Sequence, residues 1–195
     1  MEIIKKIKNF KNETIGIKNH YSILIPLIKK NNEYFLLYEL RSSTLKNQPS
    51  EISFPGGKVE ENESYKECAI RETYEEIGVK KENINILNKG DDFYSPFGFL
   101  IHSYICTINT NDFKINKAEV EKLLFVPINH LKLQKPELYN VNIIAKPNLF
   151  PYNRIPNGKK YKWKKGTYNV YFYKYNKYYI WGLTAFFTKK LIEKL

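Results

Sequence analysis

The sequence predicts an α/β (α+β) fold: a single domain over residues 1–195 with a mixed β-sheet covered by helices on both faces. Three observations carry this expectation. Short runs rich in Ile, Leu, Val, Tyr and Phe alternate with Asn, Gly, Pro and Lys clusters, the pattern of strands and turns. Helical segments lie at separate places between strands instead of in one block. Hydrophobic residues make up 43% of 195 positions, which suits a globular chain able to bury a full core.

The elements follow in order. Residues 1–18 include a short amphipathic helix with Ile3, Ile7 and Phe10 facing inward. They lack the continuous apolar stretch and small-residue cleavage site of a secretory signal, and Glu2 and Glu13 without any Arg speak against an organellar presequence. Tyr21–Ile28 and Tyr34–Tyr38 read as strands joined by a hairpin across Lys29–Glu33. A loop through Ser42–Glu51 leads to Ile52–Phe54 and then to a helix beginning near Tyr65. Ser64 followed three residues later by Glu67 is a capping box, and Gly78 is the expected stop. Further strands are expected at Ile84–Leu87, Phe97–Ile108 and Leu123–Val126, with a short helix at Ile128–Leu133 after Pro127. Residues 146–166, rich in Pro, Asn, Gly and Lys, read as a long basic loop. Tyr168–Tyr173 and Tyr178–Trp181 form a last hairpin, and Thr184 caps a closing helix to Leu195.

The central helix carries the chemistry. Glu72, Glu75 and Glu76 sit at i, i+3 and i+4, so their carboxylates project from one face. Each like-charge pair so placed destabilises a bare helix by roughly 0.2–0.5 kcal/mol. A divalent cation reverses that cost, since hard oxygen ligands suit Mg²⁺. Ile70, Thr73, Tyr74 and Ile77 form the stripe expected to face the core, which leaves the carboxylates away from it. Arg71 can bridge to Glu67 or Glu75. Most acidic runs are solvated faces. Here seven of the 20 acidic residues fall between Glu60 and Glu76 in a chain of net charge +12. A bound cation explains such a cluster better than solubility does.

Composition narrows the other classes. No apolar run reaches transmembrane length, so no membrane role is expected. Cys68 and Cys106 are too few for a disulfide framework and show no zinc spacing; both read as structural, and a cytoplasmic location is expected. The positive charge favours polyanions without selecting among them. Lys159–Lys165 interleaves Tyr161 and Trp163 with cations and could stack on bases. A solvated basic turn is the simpler reading, and nucleic acid is not the expected partner. A homodimer is compatible with the sequence.

From Gly57 to Val79 the chain resembles the Nudix hydrolase family, whose motif reads G-x5-E-x7-R-E-U-x-E-E-x-G-U with U a bulky aliphatic. Gly57, Glu63, Arg71, Glu72, Glu75, Glu76, Gly78 and Val79 occupy the fixed positions and the last U; Thr73 stands where an aliphatic is usual. A match of this length is far more specific than a lone glycine motif. Leu40–Gly57, ending in Phe54-Pro55-Gly56-Gly57, is similar to the segment that marks the coenzyme A pyrophosphatase branch, with Ser50 and Gln48 where that branch commonly has Gly and His. Ile180–Ala185 is similar to a second stretch of that branch.

The resemblance implies an α/β/α sandwich and Mg²⁺- or Mn²⁺-dependent hydrolysis of a nucleoside diphosphate derivative. The expected substrate is a small nucleotide, coenzyme A or its thioesters, with ADP-ribose or capped RNA as the alternative. A non-catalytic binding module is a third reading, although such modules usually lose motif glutamates that are intact here. By the same resemblance Glu72, Glu75, Glu76 and Glu63 are metal ligands. Glu76 also orients or deprotonates water, Arg71 fixes carboxylate orientation, and Arg41, Gly56 and Gly57 approach the substrate. Glu119, ahead of the Leu123–Val126 strand, is a candidate general base by position, with an exposed loop acid as the plain alternative.

Overall fold

Helix α1 (Glu2–Lys8) opens the chain in the computed structural model, which describes residues 2–9 and 14–195. Its Ile3, Ile4 and Ile7 are exposed, so the expected inward packing does not form among the described residues. Phe10 and Glu13 lie outside those residues.

Strands β1 (Asn19–Lys30) and β2 (Glu33–Arg41) form the expected hairpin. Asn31 and Asn32 close it at φ 47° and 62°. A two-residue turn with both residues at positive φ matches the twist of the flanking strands, and Asn reaches that conformation more readily than most side chains. The short strands β3 (Ile52–Ser53) and β4 (Gly56–Lys58) pair with β2 and β1, and helix α2 (Tyr65–Ile77) follows. Next come β5 (Ile84–Lys89), β6 (Phe93–Tyr94), β7 (Phe99–Ile108) and β8 (Val120–Pro127). Strand β7 runs parallel to β1 from Asn19 opposite Phe99 to Leu27 opposite Thr107, whereas the other pairs are antiparallel. The sheet is therefore mixed, in the order β3-β2-β1-β7-β5, with β4, β6 and β8 alongside.

Period-two alternation splits the core into two layers. Ile25, Leu36, Tyr38 and Leu40 face α3 (Ile128–Leu133) and α4 (Gly182–Ile192), which supply Leu131, Ala185, Phe187 and Leu191. Leu24, Ile28 and Leu37 face the other way, onto Ala69 and Ile77 of α2. This is an α/β/α sandwich, and β4, where the glycine loop begins, pairs with β1 beside α2.

A second sheet departs from expectation. The final hairpin, β10 (Lys165–Tyr175) with β11 (Tyr178–Trp181), is joined by β9 (Glu137–Ile144), which pairs with β10 from Glu137 opposite Phe172 to Ile144 opposite Lys165. Nearly every β9 side chain is exposed. Tyr139, Val141 and Ile143 alternate with Asn140 and Asn142, a period-two pattern that the expected element order did not include, and Tyr139 packs edge-on against Phe172 of β10. Residues 146–166 hold two short 3₁₀ turns, Tyr152–Arg154 and Gly158–Lys160, and β10 begins inside them at Lys165. Helix α4 starts at Gly182 directly after β11, so Thr184 lies within its first turn and does not cap it. Its carbonyl instead accepts a 2.8 Å bond from Thr188 Oγ1.

Candidate active site

Helix α2 starts where the capping box places it: Ser64 Oγ accepts from Glu67 N–H at 3.2 Å and Glu67 Oε2 accepts from Ser64 N–H at 2.8 Å. Gly78, at φ 72°, ends the helix. The buried face differs from the expected one. Tyr74 is 55% exposed, and the residues buried on α2 are Cys68, Ala69, Thr73, Glu76 and Ile77. The helix is rotated so that Glu76 points into the protein and does not lie away from the core. Thr73 is fully buried, and its hydroxyl bonds the Ala69 carbonyl at 2.7 Å, which satisfies the polar group that replaces an aliphatic.

Arg71 gathers three of the acids. It grips Glu63 with two bonds, Nε to Oε2 at 3.1 Å and Nη2 to Oε1 at 2.9 Å. Its Nη1 donates to Glu72 Oε1 at 2.9 Å and Glu75 Oε2 at 3.1 Å. The Glu75 bridge agrees with expectation; Glu67 is not a partner, because the capping box occupies it. The guanidinium bonds hold Glu63 down at a pKa of about 2, whereas burial raises Glu72. At Gly57 a Cβ would overlap the Glu72 carboxylate. Only glycine lets the loop pass this close to the helix acids.

The deepest part of the site is a residue that the motif does not contain. Glu39 on β2 is fully buried; Ser53 Oγ donates to its Oε1 at 2.9 Å, and Arg41 Nη1 lies 3.8 Å away. Its Oε2 is buried and accepts from no N–H or O–H donor among the described residues. Leaving such an acceptor unmatched costs about 1–3 kcal/mol. Glu76 faces it, with Oε2 held by Gly56 N–H at 2.9 Å. Burial pushes both pKa values up, and the neighbouring Glu39 charge adds to the rise at Glu76. The signal for Glu39 was present in the strand: it shares the parity of Leu37 in Glu33–Arg41, so alternation points it inward.

The other expected residues converge on the same place. The Glu119 charge raises the pKa of both Glu39 and Glu72, and the Glu119 carbonyl accepts from Ser42 N–H at 2.7 Å. Arg41 lines a cleft of about 160 Å³ with Gln48, Glu51, Gly56 and Gly57, closed on the far side by Leu183 and Thr184. Arg41 pairs with Glu39, and the backbone carbonyl of Glu51 accepts the Arg41 N–H at 2.9 Å. Ser50 sits at φ 60°, a conformation glycine adopts freely. Trp163 lies elsewhere, packed on Phe150 and Tyr161 and bonded to Tyr152 within the 146–166 segment. Both cysteines are free and buried, and burial pushes each thiol up to about 12.

No ready cage of three metal-ligating side chains exists among the described residues, since Arg71 draws Glu63, Glu72 and Glu75 to itself. The donor chemistry nevertheless fits a hard divalent cation. Every candidate ligand is an oxygen, Glu39 Oε2 is an orphaned buried acceptor, and two buried carboxyls face each other with Arg41 the one cation paired with either among the described residues.

The fold is a mixed-sheet α/β/α sandwich with an acidic loop–helix unit beside a cleft. The NUDIX domain profile matches residues 18–146, and the chain belongs to the Nudix hydrolase family. It is 28% identical over 130 residues to the peroxisomal coenzyme A diphosphatase NUDT7 of Mus musculus, covering 62% of this chain and 51% of that protein. It is 27% identical over 179 residues to the uncharacterized Nudix hydrolase NudL of Photorhabdus laumondii, covering 90% of this chain and 84% of that protein. The chain thus spans about half the length of the mouse relative and most of the bacterial one. A Caenorhabditis elegans Ap4A hydrolase structure superposes with a TM-score of 0.49 at 19% identity, over 56% of this chain and 80% of that one.

Proposed function

We propose that the chain is a Mg²⁺- or Mn²⁺-dependent pyrophosphohydrolase that cleaves coenzyme A or its thioesters into 3′,5′-ADP and 4′-phosphopantetheine or its acyl form. One observation carries the substrate choice. The segment similar to the coenzyme A branch, Leu40–Gly57, supplies Arg41, Gln48, Glu51 and both glycines to the cleft, and the second similar stretch supplies Leu183 and Thr184. Two segments distant in sequence thus meet around one space beside the helix acids. The name of the mouse relative points the same way.

Glu72 and Glu76 would hold the cation, with Glu63 and Glu75 within reach once released from Arg71. The bound cation would neutralise phosphate oxygens and favour attack by water. Arg41, with its planar fork of donors, orients the diphosphate. Arg71 keeps the acids in place between turnovers. Glu119, whose charge reaches Glu39 and Glu72 and whose backbone is tied to Ser42, is assigned to take the proton of the attacking water. The apolar wall of Tyr21, Phe54, Ile101 and Phe187 excludes water behind the reacting phosphate.

The test is a hydrolysis assay over coenzyme A, dephospho-coenzyme A, ADP-ribose, diadenosine polyphosphates and capped RNA, with products identified and with EDTA controls. The expected order in kcat/KM places coenzyme A above dephospho-coenzyme A, which lacks the 3′-phosphate, and above ADP-ribose. Faster cleavage of ADP-ribose at equal cation and pH would remove the substrate choice. Full activity in EDTA would remove the metal dependence.

A further inference from the structure

We propose that Glu39 is a cation-binding residue of this centre, presenting Oε2 to the divalent ion that Glu76 holds. The inference rests on the metal-dependent reading above and extends it to a residue outside the Gly57–Val79 motif.

Strand alternation aims Glu39 at α2, beside Leu37, into a layer where Leu24, Ile28 and Ile77 are apolar and Glu76 of α2 is the other buried acid. A carboxylate persists at such a position only with partners for both oxygens. Ser53 satisfies Oε1 at 2.9 Å; Oε2 accepts from no N–H or O–H donor among the described residues, and its remaining neighbour is the Glu76 carboxyl, itself an acid. Arg41 is the only cation paired with Glu39 among the described residues, at 3.8 Å, and it does not fill the gap, because its own buried Nε is also without a partner. An unmatched acceptor and an unmatched donor lie two residues apart on β2 without bonding each other. That arrangement suits a ligand set with both charges: a cation for Glu39 Oε2 and a phosphate oxygen for Arg41 Nε. Glu76, held from the other side by Gly56 N–H at 2.9 Å, faces the same space. Two carboxylates from opposing elements, one on the sheet and one on the helix, can bind a hard cation from both sides.

The competing explanation is a neutral pair in which Glu39 and Glu76 share a proton and no ion enters. Mn²⁺ titrations of the substrate-free protein, followed by the electron paramagnetic resonance of free Mn²⁺, separate the two, run in parallel on wild type, Glu39→Gln and Glu76→Gln. Thermal melts in EDTA and in Mn²⁺ accompany them. Glu39→Gln is expected to weaken Mn²⁺ binding about 10- to 100-fold. It is also expected to raise the melting temperature in EDTA, because a buried unmatched carboxylate is gone, and to shrink the rise that Mn²⁺ produces. Unchanged Mn²⁺ affinity together with a lower melting temperature in EDTA would mark the shared-proton pair and overturn the proposal. If Glu76→Gln loses Mn²⁺ while Glu39→Gln keeps it, Glu39 is excluded and the metal-dependent reading stands. A wild type that binds no Mn²⁺ removes both. Should Glu39→Gln not fold, Glu39→Leu, which matches the apolar neighbours, gives the same readouts.

Discussion

At the scale of single residues, Glu76 and Arg71 divide the work of the site. Glu76 is 3% exposed and keeps one oxygen on Gly56 N–H, a bond that glutamine can also accept. Glu76→Gln therefore preserves the loop while removing the charge. Circular dichroism should be unchanged and kcat should fall by roughly 10²–10⁴, as much as losing a general base, because the cation that would favour attack by water loses a ligand. A double variant, Glu72→Gln with Glu76→Gln, that retained full activity would end the assignment of the helix acids. Arg71 touches Glu63, Glu72 and Glu75 together. Arg71→Ala leaves three acids without their shared cation, and the metal concentration for half activity should rise about 10- to 100-fold. Wild-type cation affinity with collapsed turnover would instead place Arg71 on the substrate.

At the scale of elements, α2 must start in the right place for its acids to meet Gly57. Ser64→Ala removes one half of the capping box and should lower stability by about 1 kcal/mol in urea unfolding. The first residue of α2, Tyr65, stacks on His102 of β7 at 3.6 Å between ring centres. His102 is 4% exposed, with Asp92 Oδ1 at 3.1 Å from Nδ1, His20 at 3.2 Å from Nε2, and Lys89 bonded to Asp92. Burial lowers the His102 pKa and outweighs the opposing pull of Asp92, while His20 and Lys89 lower it further. The unfolded chain, with a histidine pKa of roughly 6.5, then binds a proton that the folded chain resists. Stability from this group is full above that value and is lost as pH falls below it. Melting temperatures from pH 8 down to about 5 should drop in wild type more than in His102→Gln; parallel curves would show that the ring does not titrate against the fold.

At the scale of the whole molecule, a net charge of +12 surrounds an acidic centre. Basic surface attracts a polyanionic substrate over about 8–10 Å at physiological salt. The KM for coenzyme A should therefore rise between about 50 and 300 mM salt while kcat holds. A flat KM would mean that the lysines reflect composition alone.

The layers of legibility in this chain follow from the range of the forces involved. Capping of α2 at Ser64, its stop at Gly78, and the hairpin at Asn31 and Asn32 were readable, since each depends on neighbours within four residues. The family was readable from spacing in Gly57–Val79. Strand β9 was missed although Tyr139, Val141 and Ile143 alternate with Asn140 and Asn142; its pairing with β10 is what only the structure shows. Likewise the start of α4 was misplaced, because the strand-to-helix turn at Gly182 overrode the hydroxyl of Thr184.

By itself, then, the sequence determined the acid-bearing helix, the glycine loop and the hydrolase family, all of which are local patterns in one stretch of chain. Tertiary structure alone decided how α2 is rotated, which buries Glu76 and exposes Tyr74, since rotation depends on the volume offered by Leu24, Leu37 and Cys106 across the sheet. It also decided that Glu39, 37 residues before Glu76, lies against it. Pairing of β2 with β3 brings Ser53 to Glu39, and packing of α2 on the sheet brings Glu76. Burial then converts an ordinary glutamate in a strand into a group that needs a partner, because desolvation acts on position in space and not on position in the chain.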